Sequence, residues 1–274
     1  MENNSYGNII GTAQAPYINS LVSQCGSASN YHNISHHSLP NYIGATNGAS
    51  LAALAPFYHD CSPPSPSCDS TGTNLFNQSA SWKAYDESMP SPCDTKGTSK
   101  YADRHNPAIY YTDLKNCSAN DVPLGTTSSS PLLKAFSSNS TAPAFSFVTP
   151  NLCDDMHGVP GVCLSNLVKN GDSWLRTWLG EITSTAVYKS GDTAVFVTWD
   201  EGRGGSAGEA CAANTSDQSC HVPLVVIAPS VKARTVDRAM LSHYSLLKTT
   251  EDLLGYPELG LAKTAASFKA AFNL

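Results

Sequence analysis

The sequence predicts an α/β fold with a largely parallel sheet. Three observations carry that prediction. The second half of the chain alternates short apolar runs, bounded by turn residues, with longer amphipathic runs at helical spacing. Such alternation belongs to sheets whose faces are covered by helices. The length, 274 residues, suits one large domain, read here as a single domain over 1–274.

In chain order, Ala15 to Cys25 places apolar residues at helical spacing, and Leu39 to Ala53 reads as a second helix. Residues 57–138 are rich in Ser, Pro, Asn, Asp and Cys with few apolar runs, and read as a loop-rich insertion or cap over the site. Regular structure resumes with a strand, Phe145 to Val148, ended by Thr149-Pro150. Gly171 to Thr185 reads as an amphipathic helix carrying Trp174, Leu175, Trp178 and Leu179. Two buried strands follow, Thr193 to Thr198 and Val222 to Ala228, and then a helix from Tyr244 to Leu254 closed by Gly255. In such a fold ligands sit beyond the carboxyl ends of the strands.

Composition removes several function classes. Sixteen Lys+Arg against twenty-two Asp+Glu give a formal net charge of -6, the wrong sign for a sequence-independent nucleic-acid binder. The longest apolar stretches, such as Ala194 to Val197 and Pro223 to Pro229, fall far short of the roughly 20 residues of a membrane-spanning helix. Nine cysteines without a C-x-x-C pair favour disulfides over metal clusters. Short loops suggest Cys61–Cys68, Cys153–Cys163 and Cys211–Cys220, with Cys93–Cys117 as a longer fourth and Cys25 left over. That cysteine usage points to a secreted or extracytoplasmic protein. The sequence as given opens Met1-Glu2-Asn3-Asn4 without a basic, apolar leader, so it reads as mature, truncated or mis-started.

Four segments carry residues suited to chemistry. The run Ala194 to Thr198 leads into Trp199-Asp200-Glu201-Gly202, two carboxylates at a strand's carboxyl end, which suits a hard cation as well as an ordinary acidic turn. Ser35-His36-His37-Ser38-Leu39-Pro40-Asn41 puts Ser38 at a helix start, either a simple cap or a nucleophile facing the helix's positive end. Met1-Glu2-Asn3 sets a carboxylate beside a carboxamide at a terminus, where polar residues are ordinarily only solvated. Asp154-Asp155-Met156-His157 follows a strand end and offers a ligand or a general acid. By itself His105 is a weaker candidate in a polar loop, and His243 is most simply a capping or packing residue.

Taken together these segments resemble the bacterial phosphoesterase family that unites acid phosphatases with phospholipases C. The resemblance rests on Glu2-Asn3, His36-His37-Ser38-Leu39-Pro40-Asn41, Asp154-Asp155-Met156-His157 and Thr198-Trp199-Asp200-Glu201, with His221-Val222-Pro223 and Ser242 to Leu247 in the tail. It spans nearly the whole chain and is strongest toward the short secreted acid phosphatases, a branch that includes an enzyme associated with phosphatidylinositol 3-phosphate. Lys100-Tyr101-Ala102 to His105 also resembles that branch, which makes His105 a site candidate.

The resemblance implies an alkaline-phosphatase-like three-layer sandwich and a metal-dependent phosphomonoesterase. Ser38 would form a phosphoseryl intermediate. Glu2, Asn3, Ser38, Asp200 and Glu201 would hold one divalent ion, with Mg, Ca and Mn equally suited to such ligands. His36, His105 and His157 would bind phosphate or protonate the leaving alkoxide, and Asn41 would bind substrate. The expected partner is a phosphate monoester, a lipid headgroup among the candidates. A phospholipase C-type phosphodiesterase is the alternative within the enzyme class, and a non-catalytic secreted binding protein the alternative outside it.

Three positions depart from the family pattern. His37 replaces a proline, and Asp154 stands where the family often has Asn. The family also places an apolar strand directly before Glu-Asn, whereas here Met1 precedes Glu2. A sheet with an unfilled edge or gap and a weakened metal site is the expectation.

Overall fold

The computed structural model describes residues 1–79, 81–163 and 166–274. Helix α1 (Pro16–Gln24) opens with proline, which fits the first helical turn. Its exposed N–H groups are capped from outside, because the Asp172 carboxylate accepts from Tyr17 N and Ile18 N at 3.2 and 2.8 Å. Strands β1 (Gly26–Ala28) and β2 (Tyr31–His32) follow, then α2 (Ser38–Asn47). Helix α2 stops at Asn47, short of Ala53, because Gly48 turns left-handed at φ 70°, where a Cβ would lie 2.4 Å from the Leu259 carbonyl oxygen. A separate turn, Leu51–Leu54, takes up the remaining apolar residues.

Next come β3 (Trp82–Asp86), β4 (Asp121–Pro123) and β5 (Phe145–Thr149), which form one parallel sheet in the order β4-β3-β5. The stretch 57–138 therefore supplies two strands as well as loops. Trp82-Lys83-Ala84-Tyr85-Asp86 gives no clean apolar run, because a buried aspartate ends it. Helix α3 (Leu167–Ser184) starts four residues before Gly171, at a cap where Asn166 Oδ1 accepts from Lys169 N at 3.0 Å. Strands β6 (Val195–Thr198), β7 (Leu224–Ile227), β8 (Thr235–Asp237) and β9 (Leu241–Ser242) precede α4 (His243–Leu254). Gly255, left-handed at φ 70°, ends α4 as expected.

A second sheet runs β6-β7-β1-β8, and β2 pairs with β9. Parallel pairs predominate among the described strands, the pairings of β7 with β6 and β1 being antiparallel. One core packs α1 and α3 against the second sheet through Ile18, Leu175, Leu179, Val225 and Val226. Another packs α2 against the first sheet through Leu39, Ile43, Phe76, Trp82 and Ala84.

The expected gap lies between the two sheets: among the described residues β5 is paired only with β3 and β6 only with β7, and both strands line a cavity of about 930 Å³. Helix α3 covers one face of that slot, and α2 and α4 cover the other. All four disulfides form as their spacing suggested, Cys61–Cys68, Cys93–Cys117, Cys153–Cys163 and Cys211–Cys220, and Cys25 is the free thiol.

Candidate active site

The loops after β5 and β6, the first residues of the chain and the start of α2 meet at one point. Glu2, Asp155 and Asp200 bring three buried carboxylates together there. Ser38, the first residue of α2, donates its hydroxyl hydrogen to Glu2 Oε2 at 3.1 Å. One turn along the same helix Tyr42 donates to Glu2 Oε1. Glu2 is held from behind, since its N–H donates to Asp155 O at 2.7 Å. Asn3 N donates to Asp200 Oδ1 at 3.3 Å.

His105 lies between two of these carboxylates, with Nε2 3.3 Å from Glu2 Oε2 and Nδ1 3.3 Å from Asp155 Oδ2. Burial raises the carboxyl groups of Glu2, Asp155 and Asp200 above their usual range, and for Glu2 the neighbouring Asp200 and Asp155 add to the rise. Burial pulls His105 the other way, well below the ordinary imidazole value, with Arg104 and His157 contributing. Tyr42 is raised by burial and by Glu2, so it stays a hydrogen-bond donor.

His36 and Glu201 form a second unit, Nδ1 to Oε2 at 2.6 Å. His36 Nε2 meets Ser219 Oγ at 3.1 Å, and the Ser219 hydroxyl donates to Asp217 Oδ1 at 2.7 Å. Burial pushes His36 down to about 4, while burial followed by the Asp200 charge pushes Glu201 up to about 10. Both directions describe a neutral pair with one proton between imidazole and carboxyl. The His36 ring needs Gly205, because an ideal Cβ there would lie 2.1 Å from it.

A polar pocket of about 320 Å³ opens over Ser38, lined by Asn3, His37, Asp60, Arg104, His157 and Glu201 among others. Arg104 Nη2 donates to His157 Nε2 at 3.1 Å, and Arg104 Nε lies 3.8 Å from Asp60 Oδ2. His157 Nδ1 donates to Gly158 O at 2.9 Å, which leaves Nε2 as the face turned to the pocket. Short disulfide loops lie beside three parts of the site: Cys61 follows Asp60, Cys153 precedes Asp154-Asp155, and Cys220 follows Ser219. Closing loops of such length restricts the unfolded chain by about 2–3 kcal/mol each.

Of the residues singled out from sequence, Glu2, Ser38, Asp200 and His105 converge, Asn3 touches Asp200 through its backbone, and His157 lines the pocket. Glu201 lines the pocket too, but its carboxyl is engaged by His36, whose two ring nitrogens are both occupied. Asn41 spends its amide on the loop before α2: Oδ1 accepts from Ile34 N and Ser35 N, and Nδ2 donates to Ser35 O and His37 O. Tyr42, Arg104 and Asp60 were not singled out. Tyr42 carried a readable signal, four residues from Ser38 on one helix face. Arg104, next to His105, and Asp60, next to Cys61, carried none.

The chemistry of this donor set fits a divalent cation. Three carboxylates and a hydroxyl converge out of solvent, and Asp200 Oδ2 is buried without a hydrogen-bond partner. Donor atoms of Glu2, His105 and Asp155 also fall within 4.8 Å of one another.

Residues 8–257 match the family model described as Phosphoesterase family. Phosphatidylinositol-3-phosphatase of Mycobacterium tuberculosis is 28% identical over 268 residues, covering 96% of this chain and 78% of that protein. An acid phosphatase of Aspergillus fumigatus is 24% identical, covering 88% of this chain and 51% of that one, so this chain spans about half of the fungal relative. Human ectonucleotide pyrophosphatase/phosphodiesterase 5 superposes with a TM-score of 0.63 over 100% of this chain and 98% of that one at 8% identity. A Vibrio parahaemolyticus protein of the alkaline phosphatase superfamily superposes at 0.57 over 95% of this chain and 66% of that one, at 12% identity. These likenesses show an alkaline-phosphatase-like fold.

Proposed function

Because the chain belongs to the Phosphoesterase family and hydrolyses phosphoric esters, we propose that it is a metal-dependent phosphomonoesterase of acid-phosphatase type acting through Ser38. The observation that carries this reading is the setting of Ser38. Its hydroxyl faces a buried carboxylate cluster on one side and a polar, arginine-lined pocket on the other. That pocket suits a small phosphate group better than a bulky diester.

Ser38 Oγ attacks phosphorus, the bond to the leaving oxygen breaks, and a phosphoseryl enzyme forms. Water then cleaves it, returning Ser38 and inorganic phosphate. Glu2 Oε2, the acceptor of the Ser38 hydrogen bond, is the nearest destination for the hydroxyl proton. Arg104 gives its fork of N–H groups to the phosphoryl oxygens, exchanging His157 for substrate. His157, freed at Nε2, takes up a proton there from water and passes it to the departing alkoxide, Nδ1–H staying on Gly158 O. His105 positions Glu2 and Asp155 rather than touching substrate. Glu2, Asp200 and Ser38, with Asn3 beside them, would hold the divalent ion, which supplies positive charge for the phosphoryl oxygens and acidifies the serine hydroxyl.

The mycobacterial relative's name makes a phosphoinositide headgroup a candidate monoester. Four disulfides support an extracytoplasmic setting. The test is hydrolysis of p-nitrophenyl phosphate against p-nitrophenylphosphorylcholine, with and without EDTA, for the wild type and Ser38→Ala. EDTA-sensitive monoester turnover that disappears in Ser38→Ala supports the reading. Preference for the choline ester overturns it in favour of a phosphodiesterase, and no turnover of either in favour of a binding protein.

A further inference from the structure

Asp60 sits in the wall of the polar pocket, between two groups that attract anions. Its Oδ1 accepts from Leu39 N at 2.9 Å, the first main-chain N–H of α2 after Ser38. Its Oδ2 lies 3.8 Å from Arg104 Nε. An N–H at a helix start and a guanidinium are both natural partners of phosphoryl oxygens. The carboxylate therefore lies where a phosphoryl group bound next to Ser38 would place its own oxygens. Asp172, the carboxylate that caps α1, is built differently. It is 3% exposed and gives both oxygens to N–H groups, at 3.2 and 2.8 Å. The Asp60 side chain is 25% exposed, and its second oxygen stays beyond hydrogen-bond distance of Arg104. The main chain around it is fixed. Asp60 N donates to Phe57 O at 3.1 Å, the Tyr110 hydroxyl donates to Cys61 O at 2.8 Å, and Cys61 is bonded to Cys68. Side-chain rotation alone is enough to move the carboxylate out of this seat.

On the phosphomonoesterase reading, we propose that Asp60 sets the affinity of the pocket for phosphate. It is a tethered carboxylate that holds the phosphoryl seat beside Ser38 in the resting protein and yields it to substrate. A phosphoryl oxygen entering the pocket takes over the Leu39 N–H, which serves one anion at a time. It also brings its charge to Arg104, so the displaced carboxylate turns toward solvent. Two anions at one N–H and one guanidinium repel each other, and every phosphate that binds must overcome this competition. Inorganic phosphate, the product, meets the same competitor, and Asp60 closes on Leu39 N as it departs. The outcome is a pocket that binds both substrate and product less tightly than its donors alone would allow, which favours turnover over retention.

The experiment compares the wild type with Asp60→Ala and Asp60→Asn. Inorganic phosphate is titrated in by calorimetry and used as a competitive inhibitor of p-nitrophenyl phosphate turnover. In Asp60→Ala both the Kd for phosphate and the KM are expected to fall by roughly tenfold. Asp60→Asn keeps an acceptor for Leu39 N without the charge, and its fall is expected to be smaller, about threefold. Thermal melting checks that each variant is folded, and Asp60→Asn decides the matter if Asp60→Ala is not. Phosphate binding that is unchanged or weaker in the folded variants overturns the inference, because a carboxylate that only caps α2 would not compete with phosphate. A wild type that turns over the monoester while its variants gain no affinity overturns this inference alone. A wild type that neither binds phosphate nor turns over the monoester overturns the phosphomonoesterase reading, and this inference with it.

Discussion

His243 donates from Nε2 to the main-chain oxygen of Asp200 at 2.6 Å, while its Nδ1 accepts from the Tyr31 hydroxyl at 2.8 Å. A histidine with the bearing of a helix-start packing residue thus fixes the backbone of a candidate metal ligand. Burial pushes the His243 imidazole down to about 4, so it stays neutral, which this donor–acceptor arrangement requires. His243→Ala leaves the Asp200 carbonyl and the Tyr31 hydroxyl unpaired in a buried site. A loss of roughly 2–4 kcal/mol is expected in urea unfolding, together with a fall in monoester turnover.

Ser38 donates its hydroxyl hydrogen to Glu2 and packs at the start of α2. Ser38→Ala is therefore expected to leave unfolding stability within about 1 kcal/mol of wild type. Turnover of p-nitrophenyl phosphate should fall by about a thousandfold or more, because the bond-forming oxygen is gone. Equal losses of stability and activity would mark Ser38 as a structural residue only.

Most of this architecture was readable because it is written in contiguous patterns. The apolar runs at Val195–Thr198 and Leu224–Ile227, and the glycine after Leu254, announce themselves locally, whereas Gly48 lay inside a run read as helix to Ala53. β3 and β4 did not, because their pairing depends on residues far apart in sequence and on a buried Asp86–Asp121 contact that reads as polar loop. At the site, residue types adjacent in sequence were visible and their pairings were not. Nothing in Glu201 says that it turns to His36, and nothing in Asn41 says that its amide closes on the loop of residues 34–37.

Arg104 is the only lysine or arginine among the residues named in the pocket wall. Arg104→Lys keeps the charge and loses the planar fork, whereas Arg104→Met loses both. KM for the monoester should rise by roughly tenfold in the first and by a hundredfold or more in the second, by loss of charge-assisted hydrogen bonds. Steady-state kinetics of the two variants separates fork from charge.

The carboxylate cluster of Glu2, Asp155 and Asp200 costs stability when no cation shares it, since burial and mutual repulsion raise its carboxyls. Mg, Ca or Mn should raise Tm and EDTA reverse the rise. Asp200→Asn removes one charge from the cluster. The variant is expected to melt above the wild type in EDTA and to respond weakly to added metal, a reversal of order that differential scanning calorimetry would register.

Asp86 on β3 and Asp121 on β4 are diagonal neighbours buried in the first sheet, Asp121 lying opposite Ala84, with Asn106 Nδ2 donating to Asp121 Oδ2 at 2.8 Å. Burial raises both, Asp86 well above its usual range and Asp121 up to about 6. Carboxyls raised in the folded state bind more protons there than in the unfolded chain. Their contribution is fully present below the ordinary aspartate value of 3.8 and is lost as pH rises through about 6. At about 1.4 kcal/mol per proton per pH unit, Asp121 alone accounts for up to about 3 kcal/mol across that window. Asp121→Asn keeps an acceptor for Asn106 and gives Asp86 a donor. Relative to wild type, the variant should gain stability as pH rises from 4 to 7. Thermal melts of both proteins across this range test it, and parallel curves would show that the pair shares no proton.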